Sequence, residues 1–129
     1  MVVRYLAIEE IIFLHDLALR ETGGIPGIRD LGLLHAAVER PKLQFGGTDL
    51  YPTFEIKASA LTHALVLNHP FVDGNKRAAA AALIRFLEMN HYPHQITNEK
   101  LFRLMVRVAR HHTSPAQIAR WVRAQRKRG

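Results

Sequence analysis

Nine residues, His69-Pro70-Phe71-Val72-Asp73-Gly74-Asn75-Lys76-Arg77, set a base, a carboxylate, an amide and two cations around one tight turn. Those are the parts of a phosphate-handling site. His69 is the one residue here of a type able to take a proton from a hydroxyl at neutral pH. Asp73 offers a hard oxygen ligand suited to Mg²⁺, an ion that keeps several waters and is completed by substrate phosphates rather than by a protein cage. Asn75 beside it can both donate and accept hydrogen bonds. Gly74 lets the backbone approach a ligand closely. Taken singly, each has a plain reading: His69 closes a helix C-terminus, Asp73 or Asn75 caps a helix, Lys76 and Arg77 are solvated surface, and Phe71 is core. As a set at fixed spacing, those readings do not account for them.

The elements that must position this set are legible on both sides. Residues 55–68 carry apolar side chains at helical spacing, with Ile56, Ala60, Ala64 and Leu67 on one side and Glu55, Lys57, Ser59 and His63 elsewhere. Pro70 should end that helix near His69. Directly after Asn75-Lys76-Arg77, the run from Ala78 through Leu83, Ile84, Phe86 and Leu87 is strongly helix-forming. The nonapeptide is therefore a helix, loop, helix junction. The second helix presents unpaired N–H groups and a partial positive charge that together favour an anion. Lys76 and Arg77 in its first turn oppose the macrodipole, a cost that a bound polyphosphate would turn into a gain.

Elsewhere, a first helix is expected over residues 8–22, with Ile11, Ile12, Leu14, Ala18 and Leu19 apolar and Gly23-Gly24 as its stop. A second runs from about 30 to 39 and ends before Pro41. Asn98 reads as the cap of a helix from Glu99 to about His112, and Ser114-Pro115 starts the last one. Residues 43–53 contain Gly46-Gly47, Asp49 and Pro52, are poorly periodic, and read as a loop or short hairpin.

His-Pro-Phe-Val-Asp-Gly-Asn-Lys-Arg resembles the signature of the Fic/Doc family, His-x-Phe-x-(Asp/Glu)-x-Asn-(Gly/Lys)-Arg, at every defined position. Lys76 stands where the adenylyl-transferring Fic branch usually has glycine, as is typical of the death-on-curing (Doc) branch. The His15-Asp16 pair in the first helix and the loop Gly23-Gly24-Ile25-Pro26-Gly27-Ile28-Arg29-Asp30 resemble the family's flanks, so the likeness covers nearly the whole chain. It implies an all-α, compact Fic-like helical bundle, the motif loop lying between two central antiparallel helices, with a possible short β-hairpin flap at residues 43–53 that docks the target.

By the same resemblance His69 is the general base, Asp73 holds Mg²⁺, and Asn75, Lys76 and Arg77 contact nucleotide phosphates, with Gly74 and neighbouring amides as the anion cradle. The Doc branch is understood to transfer the γ-phosphoryl group of ATP to elongation factor Tu. The implied activity is thus that of an ATP-dependent protein Ser/Thr kinase and toxin. Transfer of AMP or another nucleotide-derived group is the family alternative. No inhibitory Ser/Thr-x-x-x-Glu-Gly/Asn segment occurs in the sequence. A separate antitoxin is expected instead, a small acidic or amphipathic segment folding on a hydrophobic groove.

Composition fits a soluble globular protein. The 129 residues are 48% hydrophobic, with no apolar run as long as a membrane-spanning helix, and read as a single domain over 1–129. The apolar start Met1-Val2-Val3 is broken by Arg4 and too short for a secretory segment, and there is no cysteine, so the expected location is cytoplasmic. Net charge is +7, and Arg120, Arg123, Arg126, Lys127 and Arg128 crowd the C-terminus. That balance suggests nucleic acid as a rival partner. Trp121 is the only aromatic interleaved with those cations and no nucleic-acid motif is present, so the tail reads as a solvated end or a contact for an acidic partner. Eight histidines, among them His91, His94, His111 and His112, raise the second rival, a metal-dependent hydrolase. Their spacing gives no i, i+4 ligand pair on a helix face, and they read as surface or partly buried groups.

Overall fold

The computed structural model describes residues 2–128; Met1, part of the apolar start, and Gly129 lie outside the described residues. Six helices succeed one another: α1 (Ile8–Thr22), α2 (Leu31–Glu39), α3 (Phe54–Asn68), α4 (Asn75–Met89), α5 (Asn98–His111) and α6 (Pro115–Ala124). A 3₁₀ turn, Arg40–Lys42, follows α2. Between it and α3 lies a two-stranded antiparallel hairpin, β1 (Gln44–Phe45) with β2 (Thr48–Asp49). The fold is the expected all-α one with a small hairpin.

Helix ends follow local chemistry. Gly23 adopts φ 81° and its N–H donates to the Leu19 carbonyl, stopping α1. Asp30 caps α2, its side chain accepting from the Leu33 N–H. One expectation is corrected. The cap of α5 is Thr97, whose hydroxyl accepts from the Lys100 N–H, and Asn98 is already helical. Both residue types cap well, and only the backbone path chooses between neighbours.

Helix α3 forms the centre, packed against α2, α4, α5, α6 and the 3₁₀ turn. It therefore departs from the one-sided pattern expected of it. Lys57, Ser59 and Thr62 are buried along with Ala58, Leu61, Leu65 and Val66. Ser59 and Thr62 satisfy their hydroxyls on the carbonyls of Glu55 and Ala58, one turn back. Lys57, only 5% exposed, extends its ammonium to the Pro41 carbonyl at 3.3 Å and the Asp49 carboxylate at 3.1 Å. A buried charge must be paired, and this pair ties the hairpin to the central helix. Hydrogen bonds from the Gln44 amide and then from Lys57 hold the Asp49 carboxyl below its ordinary range. Around α3 the core is filled by Phe71, Phe86, Leu34, Leu83, Leu104 and Ile118. No helix of the described residues is long and apolar enough to cross a membrane.

Candidate active site

The loop between α3 and α4 is held by bonds from outside it. His69 closes α3 in the left-handed region, φ 48° and ψ 58°, where a residue with a Cβ costs of order 1 kcal/mol. Arg29 offsets that cost. Its Nε donates to the His69 carbonyl at 2.6 Å and its terminal nitrogen to the Asn68 carbonyl at 2.7 Å, filling carbonyls that the helix end leaves open. The N–H groups of Arg29 and Asp30 both donate to the Pro70 carbonyl, and the Val72 N–H donates to the Gly27 carbonyl at 3.0 Å. An isolated antiparallel bridge joins Ile28 to Phe71. Residues 27–30 are thus strapped along the motif.

His15 supports the loop from beneath. It is 2% exposed, its ring stacks on Phe71 with centroids 3.8 Å apart and planes within 6°, and its Nε2 donates to the Asp73 carbonyl at 2.7 Å. The Asp16 carboxylate stands 3.8 Å from the other ring nitrogen. The Asp73 side chain is fixed as well. One oxygen accepts the Ile25 N–H at 3.1 Å and the other the Gly74 N–H at 2.8 Å, and these two bonds, with smaller contributions from Arg77 and His15, hold its carboxyl below the ordinary carboxylate value. Gly24 lets this happen: a Cβ there would stand 2.9 Å from the Asp73 oxygen and 2.7 Å from Leu19.

Helix α4 begins at Asn75, with Gly74 (φ 78°) as an N-cap that carries no side-chain bond and no acid in the first turn. Asn75 is taken up by the loop itself. Its Oδ1 accepts the Phe71 N–H at 2.9 Å and its Nδ2 donates to the Phe71 carbonyl at 3.0 Å. These bonds make Asn75 a clasp that closes the loop, and they use only one Nδ2 hydrogen, so the second is left for the phosphate contact expected of it. Arg77 donates to the Gly23 carbonyl at 2.6 Å and to the Thr22 hydroxyl, tying α4 to the end of α1, while its other terminal nitrogen lies 3.8 Å from Asp73. Lys76 is exposed and has no ion pair among the described residues.

These groups converge on a cavity of about 690 Å³. Asp73, Gly74, Asn75, Lys76 and Arg77 line it from the start of α4, Thr22 from the end of α1, and Leu101 and Met105 from α5. Five of the six residues expected at the site share that cavity. The sixth, His69, is exposed and outside its lining, with Nδ1 3.5 Å from the Asn75 amide nitrogen, too long to fix the imidazole tautomer. Among the described residues no three His, Cys, Asp or Glu side chains are grouped so as to hold a metal ion. A single carboxylate on the wall of this open cavity suits an ion whose shell is completed by water and substrate oxygens.

Sequence reasoning missed the supporting side chains. The His15-Asp16 pair resembles the family's first helix, and His15 interrupts the apolar stripe Ile11, His15, Leu19 of α1, but neither signal gave it a role at the loop. Arg29 lies in the loop that resembles the family's flank, but nothing in the sequence assigned it a role, since its partners lie 39 and 40 residues away.

Residues 5–87 match the Fic/DOC family. The chain is 45% identical over 86 residues to the protein named Toxin Doc of Mycolicibacterium smegmatis, a match covering 67% of this chain and 64% of that one. It is 34% identical over 87 residues to the protein named Protein kinase doc of Escherichia phage P1, covering 67% of this chain and 68% of that one. The match to the mycobacterial relative thus spans just under two thirds of that protein's length.

Proposed function

This chain belongs to the Fic/Doc family, and we propose that it is a Doc-type toxin that moves the γ-phosphoryl group of ATP to a Ser/Thr hydroxyl of a protein target. Elongation factor Tu is the proposed target and block of translation the consequence. The observation that carries this reading is Lys76. A cation in the first turn of a 15-residue helix, exposed on a cavity and paired with no acid among the described residues, is unfavourable until an anion arrives. The relative from phage P1, named a protein kinase, points the same way.

Under this reading the helix-end amides and Lys76 hold the polyphosphate. Asp73, kept ionised by two backbone N–H donors, would hold Mg²⁺, which supplies charge neutralisation at the transferring phosphate. Each Asp73 oxygen keeps a lone pair beyond the one its N–H donor uses, so the donor set fits that ion. His69, on the solvent side of the loop, accepts the proton of the target hydroxyl. That oxygen then bonds to the γ-phosphorus as the bond to the β-phosphate oxygen breaks and ADP leaves. His15, Asn75 and Arg29 keep the loop in register. A cytoplasmic setting and inhibition by a separate antitoxin complete the proposal, in keeping with the name Toxin Doc of the mycobacterial relative.

The second family reading, AMP transfer, requires the α-phosphate to sit where Lys76 stands. Incubation with bacterial extract and ATP labelled at the α- or the γ-phosphate separates the two. Label from γ only is expected, on one protein band. His69→Ala should lower transfer by roughly 10²- to 10⁴-fold while nucleotide binding persists. Lys76→Gly should weaken γ transfer and open some α transfer. Label from α in the unaltered protein would establish adenylyl transfer, and unaltered turnover in His69→Ala would remove the base.

A further inference from the structure

We propose that the exposed cations of α5, α6 and the C-terminal tail form a second anion site, built to hold the phosphodiester backbone of duplex DNA. The charge of this chain is segregated. Residues 1–97 carry nine Lys or Arg against ten Asp or Glu, whereas residues 98–129 carry nine against the single acid Glu99, so the net charges are −1 and +8. The entire positive excess lies beyond residue 87, where the match to the family ends. The phosphate cavity at α4 does not use it.

These cations are displayed on an ordered surface. On α5, Lys100, Arg103, Arg107 and Arg110 recur at i, i+3, i+7 and i+10, an exposed stripe about 15 Å long in which Arg103 is paired with Glu99 and the Lys100 ammonium donates to the Gln125 side chain at 3.3 Å, next to the tail. The tail that sequence alone presents as a solvated end is pinned. The Lys127 N–H donates to the Pro93 carbonyl at 3.0 Å, the Gln95 N–H donates to the Gln125 carbonyl at 2.9 Å, and a bridge pairs His94 with Arg126. Arg126 is further held over the Tyr92 ring at 5.0 Å. Between the tail and the loop at Pro93 lies a cavity of about 450 Å³ walled by Arg123, Arg126, Lys127 and Arg128, with no acid in its lining. Four like charges around one concavity repel one another, and a bound polyanion relieves that repulsion.

The chemistry of the walls selects the occupant. Seven of the nine cations in this segment are arginine, the exceptions being Lys100 and Lys127, and the guanidinium fork matches phosphate oxygens in two-point contacts. No aromatic face lines the cavity, Trp121 packs against the core, and the Tyr92 ring is buried, so unpaired bases find no stacking platform. Single strands depend on such platforms, whereas a duplex is gripped through its backbone alone.

The test is fluorescence anisotropy of the full chain with a labelled DNA duplex of about 20 base pairs, titrated from roughly 50 to 200 mM salt. Binding is expected to weaken steeply, with log K falling against log salt at a slope of about −4, near −0.9 for each cation on a phosphate. Arg123→Gln combined with Lys127→Gln and Arg128→Gln should flatten that slope by about 2 to 3 and leave protein phosphotransfer unchanged. Arg107→Gln with Arg110→Gln, on the other helix, should flatten it by about 2 and gives an independent reading if the first variant melts early. The proposal is overturned by a slope unmoved in both variants. It is equally overturned if a single strand of the same length binds as tightly as the duplex, or if polyglutamate binds more tightly and so reveals an acidic protein partner.

Discussion

Helices α4 and α6 begin in opposite ways. Ser114 caps α6 by accepting the Gln117 N–H, Gln117 reaches back to the Ser114 N–H, and Pro115 sets the first turn. Every choice there favours the helix itself. At α4 the cap is a left-handed glycine with no side chain to offer, the first turn holds no acid, and two cations stand at the positive end of the dipole. A reciprocal box such as that at α6 is worth roughly 1 kcal/mol, so α4 forgoes that much to leave its N–H groups and Lys76 facing a cavity. Its stability comes from elsewhere: Arg77 bonds to the end of α1, Asn75 clasps the loop, and Ala78, Ala79, Ala82 and Leu83 are buried. A helix start that is poor by local rules yet tightly braced from outside marks the functional end of this molecule.

Lys76→Glu breaks the comparison most severely. It removes a cation from the positive end of α4 and adds an anion, so the melting temperature should rise by a few degrees, about 1 kcal/mol, while phosphotransfer falls by about 10²-fold or more. Thermal melting alongside the γ-label assay reads both. A variant that is neither stabilised nor inactive would mean that α4 is not strained in favour of an anion. Ser114→Ala gives the converse at α6, a loss of about 1 kcal/mol, seen as a drop of roughly 4 °C, with transfer unaltered.

Acid titration gives the smallest and most local effect. The folded-state pKa of Asp73 is depressed, first by the Ile25 N–H and then by the Gly74 N–H. Its contribution is therefore full above the ordinary value of 3.8 and is lost as pH falls from there through the lowered folded value. Asp73→Asn should be less stable than the parent near neutral pH and lose less on acidification. Equal acid sensitivity of the two proteins in melting curves would show that those two bonds do not hold the carboxylate.

Much of the fold was legible because its signals are local. Gly23-Gly24 and Pro41 stop two helices where expected, Pro70 ends α3 at Asn68, and Ser114-Pro115 opens α6. The one-sided reading of α3 failed because a central helix is buried all round. Lys57 looks like a solvent-facing residue until Asp49 and the Pro41 carbonyl close over it.

The spacing of His69, Asp73, Gly74, Asn75, Lys76 and Arg77 by itself determined where the candidate chemistry lies and which family the chain joins, since a short turn between two helices brings near neighbours together whatever surrounds it. Tertiary structure alone decided how that turn is held. Ile25 reaches Asp73 across 48 residues, His15 reaches its carbonyl across 58, and Arg29 closes α3 across 40. Contacts at that separation leave no period or cap in the sequence, because each depends on how whole helices pack and not on the residues beside it.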